Sequence, residues 1–529
     1  MTTPPQTPVP LEREDELTET AESPPELGCA PGAAEMMVAE ASPVDRIRTG
    51  RLAGLTMWAS IWVLSWPILI DSLMNWLVGA VDTVLAAGVS EAATDGIGGG
   101  SYIVWFIAML GMALGGGATA LVSRSIGKGR RAVANAAVGQ SILLGASLGV
   151  LVGILVTCAA PLLARLLGLS PEAHRAMVTY LWIVAIAAPA VTVMETGIAC
   201  CRGAGDSFRP LIIMVMVNAV NVVISWSLAG VDLTRTTVNA AGEAITTTLI
   251  ANPFPFDLGV KGIAIGTACA WALGAAAVVA LLVDGRTGVR LLGRRLKPHW
   301  ITLRRLVRQA VPNFLETLGM WAGNFLIIMM VGWMLSPGLL GAHIVAIRIE
   351  AVSFLPGFAM SMAAATLVGQ WLGAGSPRMA QKTAWACAGV ASVFMGVMGG
   401  ALMIWSRPIT GLFSPQAVHL EYTPKLLFIC GIIQVPFAMG MVFRSALRGA
   451  GDARVVMWLT WITTWGVRLP LAYFLSGVDP IIFGKTYENP SPFEGGLIGL
   501  WWALCLELVV RGAVFTGRFL QGHWKTKRV

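Results

Sequence analysis

Asp71, Asn75 and Asp82 stand in PILIDSLMNWLVGAVDT (67–83), a stretch otherwise apolar enough to lie inside a lipid bilayer. The eleven-residue step from Asp71 to Asp82 makes about three helical turns, which puts both carboxylates on one helix face about 16 Å apart. Asn75, four residues after Asp71, shares that face. A carboxylate at mid-bilayer costs about 2.5 kcal/mol or more, so such acids turn to a polar interior or a wet cavity. Two acids and an amide on one stripe can bind a cation or exchange a proton. The competing reading is a pair of acids held by partners in a static bundle. Pro67 adds an expected kink.

Other apolar stretches carry further polar groups. Asn218, Asn221 and Ser225 are spaced three and four apart and share a face. So do Asn313, Glu316 and Asn324. Glu195 and Tyr180 fall at opposite ends of one apolar run. Arg348 and Glu350 are two residues apart, point to different sides, and each needs a partner on another helix or water. Arg468 lies two residues before Pro470. Asp71, Asn75, Glu316 and Asn324 are the candidates for a substrate cleft or a second coupling site. Glu195, Arg348, Glu350 and Arg468 are the candidates for structural or gating charges, with Glu195 placed to cap a helix or pair with Arg202.

The elements that position these groups must be membrane helices. Of 529 residues 56% are hydrophobic and 12% charged, and the mean hydropathy is +0.71, far outside the soluble range. Twelve apolar runs are expected near 57–87, 97–122, 134–160, 174–199, 209–230, 259–283, 308–334, 342–368, 381–405, 422–446, 453–476 and 496–519, each long enough to span. Residues 1–45 hold ten acids, one base and eight prolines, the composition of a disordered tail. No basic segment leads an apolar one there, so no signal peptide is expected. The tail's −9 against a chain total of +8 leaves +17 on the remainder. Basic loops (124–131, 202–209, 285–308, 373–382, 448–454 and the last residues) alternate with neutral or acidic ones (90–96, 477–495), which puts both termini in the cytoplasm of a plasma-membrane protein. The Thr-rich loop 230–258 is external, either a small lid or, in the preferred reading, a tolerated insertion.

The chain also repeats itself. Leu121-Val122 with Gly127 and Gly129 recurs 246 residues later as Leu367-Val368 with Gly373 and Gly375. Arg-Gly-Ala-Gly-Asp at 202–206 recurs at 448–452 by the same offset, and Pro67/Asp71 recurs as Pro312/Glu316 at 245. Two six-helix lobes follow, 51–283 and 307–520, related by a pseudo-two-fold along the membrane normal. A disordered cytoplasmic tail (1–50), a basic linker (284–306) and a basic tail (521–529) complete the expected division.

Several apparent motifs fall away. Gly-Ala-Ser-Leu-Gly (145–149) lacks the strand-to-helix turn of a hydrolase nucleophile, and Gly111-x-x-x-Gly115 is a packing stripe. The glycines at 203–205 and 449–451 lack the lysine of a phosphate loop. The eight cysteines form no C-x-x-C pair and are expected to act as small apolar residues. The five histidines show no metal-ligand spacing and are expected at the interfaces. No enzyme activity, cofactor, resident metal or nucleic-acid partner is expected.

Over about residues 55–520 the chain resembles multidrug and toxic compound extrusion (MATE) transporters. The resemblance is carried by VDTVLAAGVS (81–90), LVSRSIGKG (121–129), CRGAGD (201–206), AIRIEAVSFLPGFAMSMAAATLVGQWLGAG (346–375), ALRGAGD (446–452) and WGVRLPLAYFL (465–475). The second-half phrases are closer to the DinF-type than to the NorM-type branch. The resemblance implies an alternating-access antiporter with two lobes around a cleft. It implies a cation or proton site of Asp82, Asn221, Tyr180 and Thr267, with Ser225 where DinF-like members carry an aspartate. It likens Glu316 to the seventh-helix glutamate of NorM-like members, whose tenth-helix aspartate has no counterpart in VPFAMGMVF (435–443). The expected function is export of amphipathic, cationic organic compounds driven by protons or sodium ions, by a lipid-embedded monomer. A lipid-linked glycan flippase of the same architecture and an integral-membrane transferase are the alternatives.

Overall fold

The computed structural model describes residues 47, 49–167, 169–238, 244–254, 256–336, 338–414, 416–482 and 485–527. The acidic tail lies outside them. Helix α1 (Met57–Val89) starts at Thr56, whose hydroxyl accepts the Ala59 amide. Ser90 alone separates it from α2 (Glu91–Gly127). Residues 90–96, expected as a loop, form the cap and first turns of α2, because Ser90 accepts the Ala93 amide and Glu91 suits the positive helix start. The chain continues through α3 (Arg131–Leu166), α4 (Pro171–Ile186 and Ala188–Gly203), α5 (Phe208–Ala229) and α6 (Val260–Asp284). The second half repeats the order as α7 (Trp300–Trp333), α8 (Leu339–Gly373), α9 (Pro377–Ile404), α10 (Ala417–Ile432 and Gln434–Gly449), α11 (453–476) and α12 (Gly496–Leu520).

Among the described residues, nine unbroken helices are long and apolar enough to cross a bilayer, and the bent pairs of α4 and α10 make eleven. The twelfth span is α11, which a π-helical segment, Ile462–Arg468, divides between Ala453–Trp461 and Leu469–Ser476. Helix α1 runs as one helical element through Pro67. Breaks with bends fall at Ala187 (55°) and Ile433 (59°), which are 246 residues apart and so obey the sequence repeat. One apolar core joins α1–α6 and a second joins α7–α12.

The repeated Leu-Val…Gly…Gly phrases end α2 and α8, and these helices cross where the lobes meet. A Cβ on Gly127 would strike the Gln370 carbonyl, and one on Gly373 the Arg124 carbonyl. Only glycine permits that approach. Arg124 and Gln370, themselves 246 apart, complete a reciprocal clamp: Arg124 Nη1 donates to Ala450 O (3.2 Å) and Gln370 Nε2 to Gly203 O (3.0 Å). Each reaches the Arg-Gly-Ala-Gly-Asp turn of the opposite lobe.

The opposite ends carry two small hairpins, β1 (Leu233–Val238) with β2 (Ala244–Ile250) and β3 (Ile481–Ile482) with β4 (Lys485–Thr486). The segment 230–258 is therefore an element of the repeat and not a simple insertion. After left-handed Gly230, Asn252 Nδ2 donates to Trp226 O (2.8 Å), and the Asn252 amide donates to Asp232 (2.7 Å). After left-handed Gly477, Asn489 Nδ2 donates to Tyr473 O (2.9 Å), and the Asn489 amide donates to Asp479 (2.8 Å). The shared phrase is Asn-Pro-x-Pro-Phe-acid-x-Gly at 252–259 and 489–496, a signal present in the sequence.

Candidate ion and substrate sites in the two lobes

The acids of α1 do not make one site. Asp71 is 6% exposed and forms an ion pair with Arg202 Nη2 of α4 at 2.6 Å, while Asn75 donates to its other oxygen at 3.2 Å. Glu195, about two turns before Arg202, feels both charges through space but has no ion pair or hydrogen bond among the described residues. Arg202 thus pairs with Asp71 and not with Glu195. Seven residues along α1 from Asn75, Asp82 faces a different group. Tyr180 of α4 is buried near Ser101 of α2 and Thr267 of α6, and it senses the Asp82 charge. Asn221 Nδ2 donates to Thr267 Oγ1 at 3.2 Å.

This second group holds unsatisfied atoms. Asp82 Oδ1, Asn221 Oδ1 and Asn218 Nδ2 are buried and lack hydrogen-bond partners. Buried polar atoms without partners are rare in folded proteins, and a carboxylate oxygen is the costliest to strand. Buried oxygens left without donors, on Asp82 and on Asn221, suit a proton or a small cation. Ser225, grouped with them on the sequence face, donates instead to the Ile263 carbonyl at 3.3 Å, where Gly266 lets α6 close on α5.

In the C lobe Glu316 is fully buried. Arg448 holds its Oε2 through Nη2 (2.5 Å) and Nε (3.0 Å), and Thr460 of α11 donates to Oε1 (2.9 Å). Glu316–Arg448 is the repeat copy of Asp71–Arg202, at offsets of 245 and 246. Asn313 and Asn324, on the same α7 face, go elsewhere: Asn313 Nδ2 crosses to Ala113 O of α2 (3.4 Å), and Asn324 Oδ1 accepts from Arg468 Nη1 (2.5 Å). Arg468 also grips Glu507 of α12 through Nε (3.1 Å) and Nη2 (2.8 Å). Arg511 donates to Glu507 Oε1 (2.7 Å) and to Thr464 (2.8 Å). Glu350 meets Cys430 and senses Arg468, whereas Arg348 is exposed with no partner among the described residues.

Glu507, Arg511, Arg444, Thr460 and Thr464 were not singled out from sequence. The Glu507–Arg511 spacing of four inside an apolar helix was a readable signal. Two histidines expected at interfaces are buried instead: His343 Nδ1 accepts from Trp501 Nε1 (2.9 Å) and His419 contacts Ser414 (2.8 Å). A cavity of about 870 Å³ lies at neither acid cluster. It sits at the basic ends of α7 and α11, among Trp300, Arg304, Arg305, Arg308, Arg454 and Trp458.

The repeat of helices, bends and buried ion pairs is that of a two-lobed transporter, and the family model MatE matches residues 67–227 and 312–474. The chain belongs to the MATE family. Among its relatives are the "Probable multidrug resistance protein NorM" of Thermotoga maritima, 24% identical over 88% of this chain and 93% of that one, and the "Multidrug resistance protein PmpM" of Pseudomonas aeruginosa, with the same identity and coverage. The fold matches a crystal structure of MATE in complex with MaL6 at a TM-score of 0.77, with 20% identity, covering 89% of this chain and 98% of the other. An outward-facing MATE-family multidrug transporter matches equally well, at 0.77, with 20% identity over 89% and 97%. This MATE-family chain is a multi-pass membrane protein built as an efflux transporter.

Proposed function

We propose that the chain exports amphipathic organic cations in exchange for protons, and that Asp82 is the coupling acid. The observation that carries this reading is the stranded Asp82 Oδ1, buried with no partner and close enough for its charge to act on Tyr180. Asp71, Glu316 and Glu507 each hold an arginine, whereas Asp82 has a free oxygen to give to a proton or a cation. When ionised it attracts a cationic compound, and when protonated it loses that attraction. Proton entry from outside then releases the substrate, and proton loss towards the cytoplasm restores the site.

Orientation follows from charge. The basic loops mark the cytoplasmic side, which puts both termini there. The α2–α8 clamp then lies at the cytoplasmic end and the hairpins lie outside. Sodium is the second reading, favoured by the paired orphan oxygens of Asp82 and Asn221. The engaged Ser225 hydroxyl favours the proton.

The test uses purified protein in liposomes, an imposed pH gradient with and without sodium, and a fluorescent organic cation. Transport on the proton gradient alone, lost in Asp82→Asn, supports the proposal. A strict requirement for sodium replaces the proton with a metal ion, and no movement of the cation on either gradient overturns cation export.

A further inference from the structure

The two lobes hold opposite surpluses of charge. Within the N-lobe clusters Arg202 stands against Asp71, Glu195 and Asp82. Within the C-lobe clusters Arg444, Arg448, Arg468 and Arg511 stand against Glu316, Glu507 and Glu350. Arg448 is consumed by Glu316, and Arg468 by Glu507 and Asn324. Arg444 shares Glu316 with Arg448 as the longer of two ion pairs. Its Nε is buried with no partner, and its Nη1 lies 3.7 Å from Glu316 Oε1, which Thr460 already occupies. The same Nη1 points at Met320 Sδ (3.6 Å), and Arg511 Nη1 points at that same sulfur from the other side (3.5 Å). A thioether is a weak acceptor, so two guanidinium edges converge on a place with no proper acceptor. The Arg444 side chain keeps 19% of its surface exposed, so a solute can reach it. Two arginines on each of Glu316 and Glu507 leave an excess of positive charge, and excess charge inside a membrane protein calls for a counter-anion.

We infer that Arg444 and Arg511 form a subsite for the carboxylate of an exported compound, seated where Met320 Sδ now lies. The guanidinium fork matches a carboxylate in charge and geometry. The repeat partners of Arg444 and Met320 are Ile198 and Asn75, so the N lobe has no copy of this subsite. Substrates are then zwitterions, the amine drawn to the Asp82 lobe and the acid to the Arg444 lobe. The inference rests on the export reading only for the identity of the ligand.

The test compares a rhodamine carboxylate with its methyl ester, which differ only in the anionic group. Equilibrium binding to purified protein by fluorescence polarisation decides the subsite. Wild type binds the carboxylate about tenfold more tightly than the ester, as charge-assisted hydrogen bonds imply. In Arg444→Gln that ratio falls to near one. Met320→Glu, which places an internal carboxylate between the two arginines and adds no unpaired charge, removes the preference as well. Equal wild-type affinity for the two dyes, binding of neither, or a preference that survives in both variants overturns the subsite. Transport of the same dyes in liposomes separates the two ideas. If binding shows the preference but neither dye moves on any gradient, export fails while the subsite stands.

Discussion

Replacing Arg448 with Met should cost the C lobe about 3 kcal/mol. Glu316 is fully buried and takes two hydrogen bonds from Arg448. Removing one partner of such a pair leaves a buried charge and costs about 3–5 kcal/mol. The lower end applies here, because Thr460 still donates and Arg444 lies 3.7 Å away, close enough to swing in. For a lobe of about two hundred residues, 3 kcal/mol corresponds to a melting shift of about 6–12 °C. A thiol-reactive dye reports the melt, since Cys387, Cys430 and Cys505 are buried until the C lobe opens. Glu316→Gln in the same chain removes the stranded charge, so Arg448→Met/Glu316→Gln should recover more than half of the loss. The single variant melting within about 2 °C of wild type would refute the argument, as would a double variant less stable than the single one.

Arg202→Met should show the same pattern against Asp71→Asn in the N lobe, since that pair is the repeat copy; unequal behaviour would be seen in parallel melts. Gly373→Val should prevent α2 and α8 from crossing, because a side chain there meets the Arg124 carbonyl. Cysteines placed near the clamp should then label from the cytoplasmic side in the variant and resist labelling in its parent. Asn489→Ala removes donors to Tyr473 O and Val478 O and should cost about 1–3 kcal/mol, and Asn252→Ala should match it if the loops are equivalent; melting both decides. Trp501→Phe strips the donor from buried His343 and should cost about 1–3 kcal/mol in the same assay.

The sequence by itself determined the spans, their number and their two-fold repetition. Hydropathy marks a helix that lipid must surround, and equal offsets of 245–246 residues survive as text whatever the packing does. The bends at Ala187 and Ile433 obeyed the same offset, although no expectation named them. The Asn-Pro-x-Pro-Phe phrase was equally legible but sat in a loop judged an insertion.

The tertiary structure alone decided which charge meets which. Asp71 and Asp82 share a face of α1, yet one is closed by Arg202 and the other is left with a free oxygen. Asn313, Glu316 and Asn324 share a face of α7 and reach three different elements. Helical periodicity fixes the direction in which a side chain leaves its own helix, whereas the partner it finds is 131 residues away for Asp71 and 132 for Glu316. That choice depends on how whole helices dock, which no local spacing encodes. Arg444 shows the consequence: as a letter it is one more base near a basic turn, and only the docking of α7, α10 and α12 makes it share Glu316 with Arg448 and sets it beside Arg511.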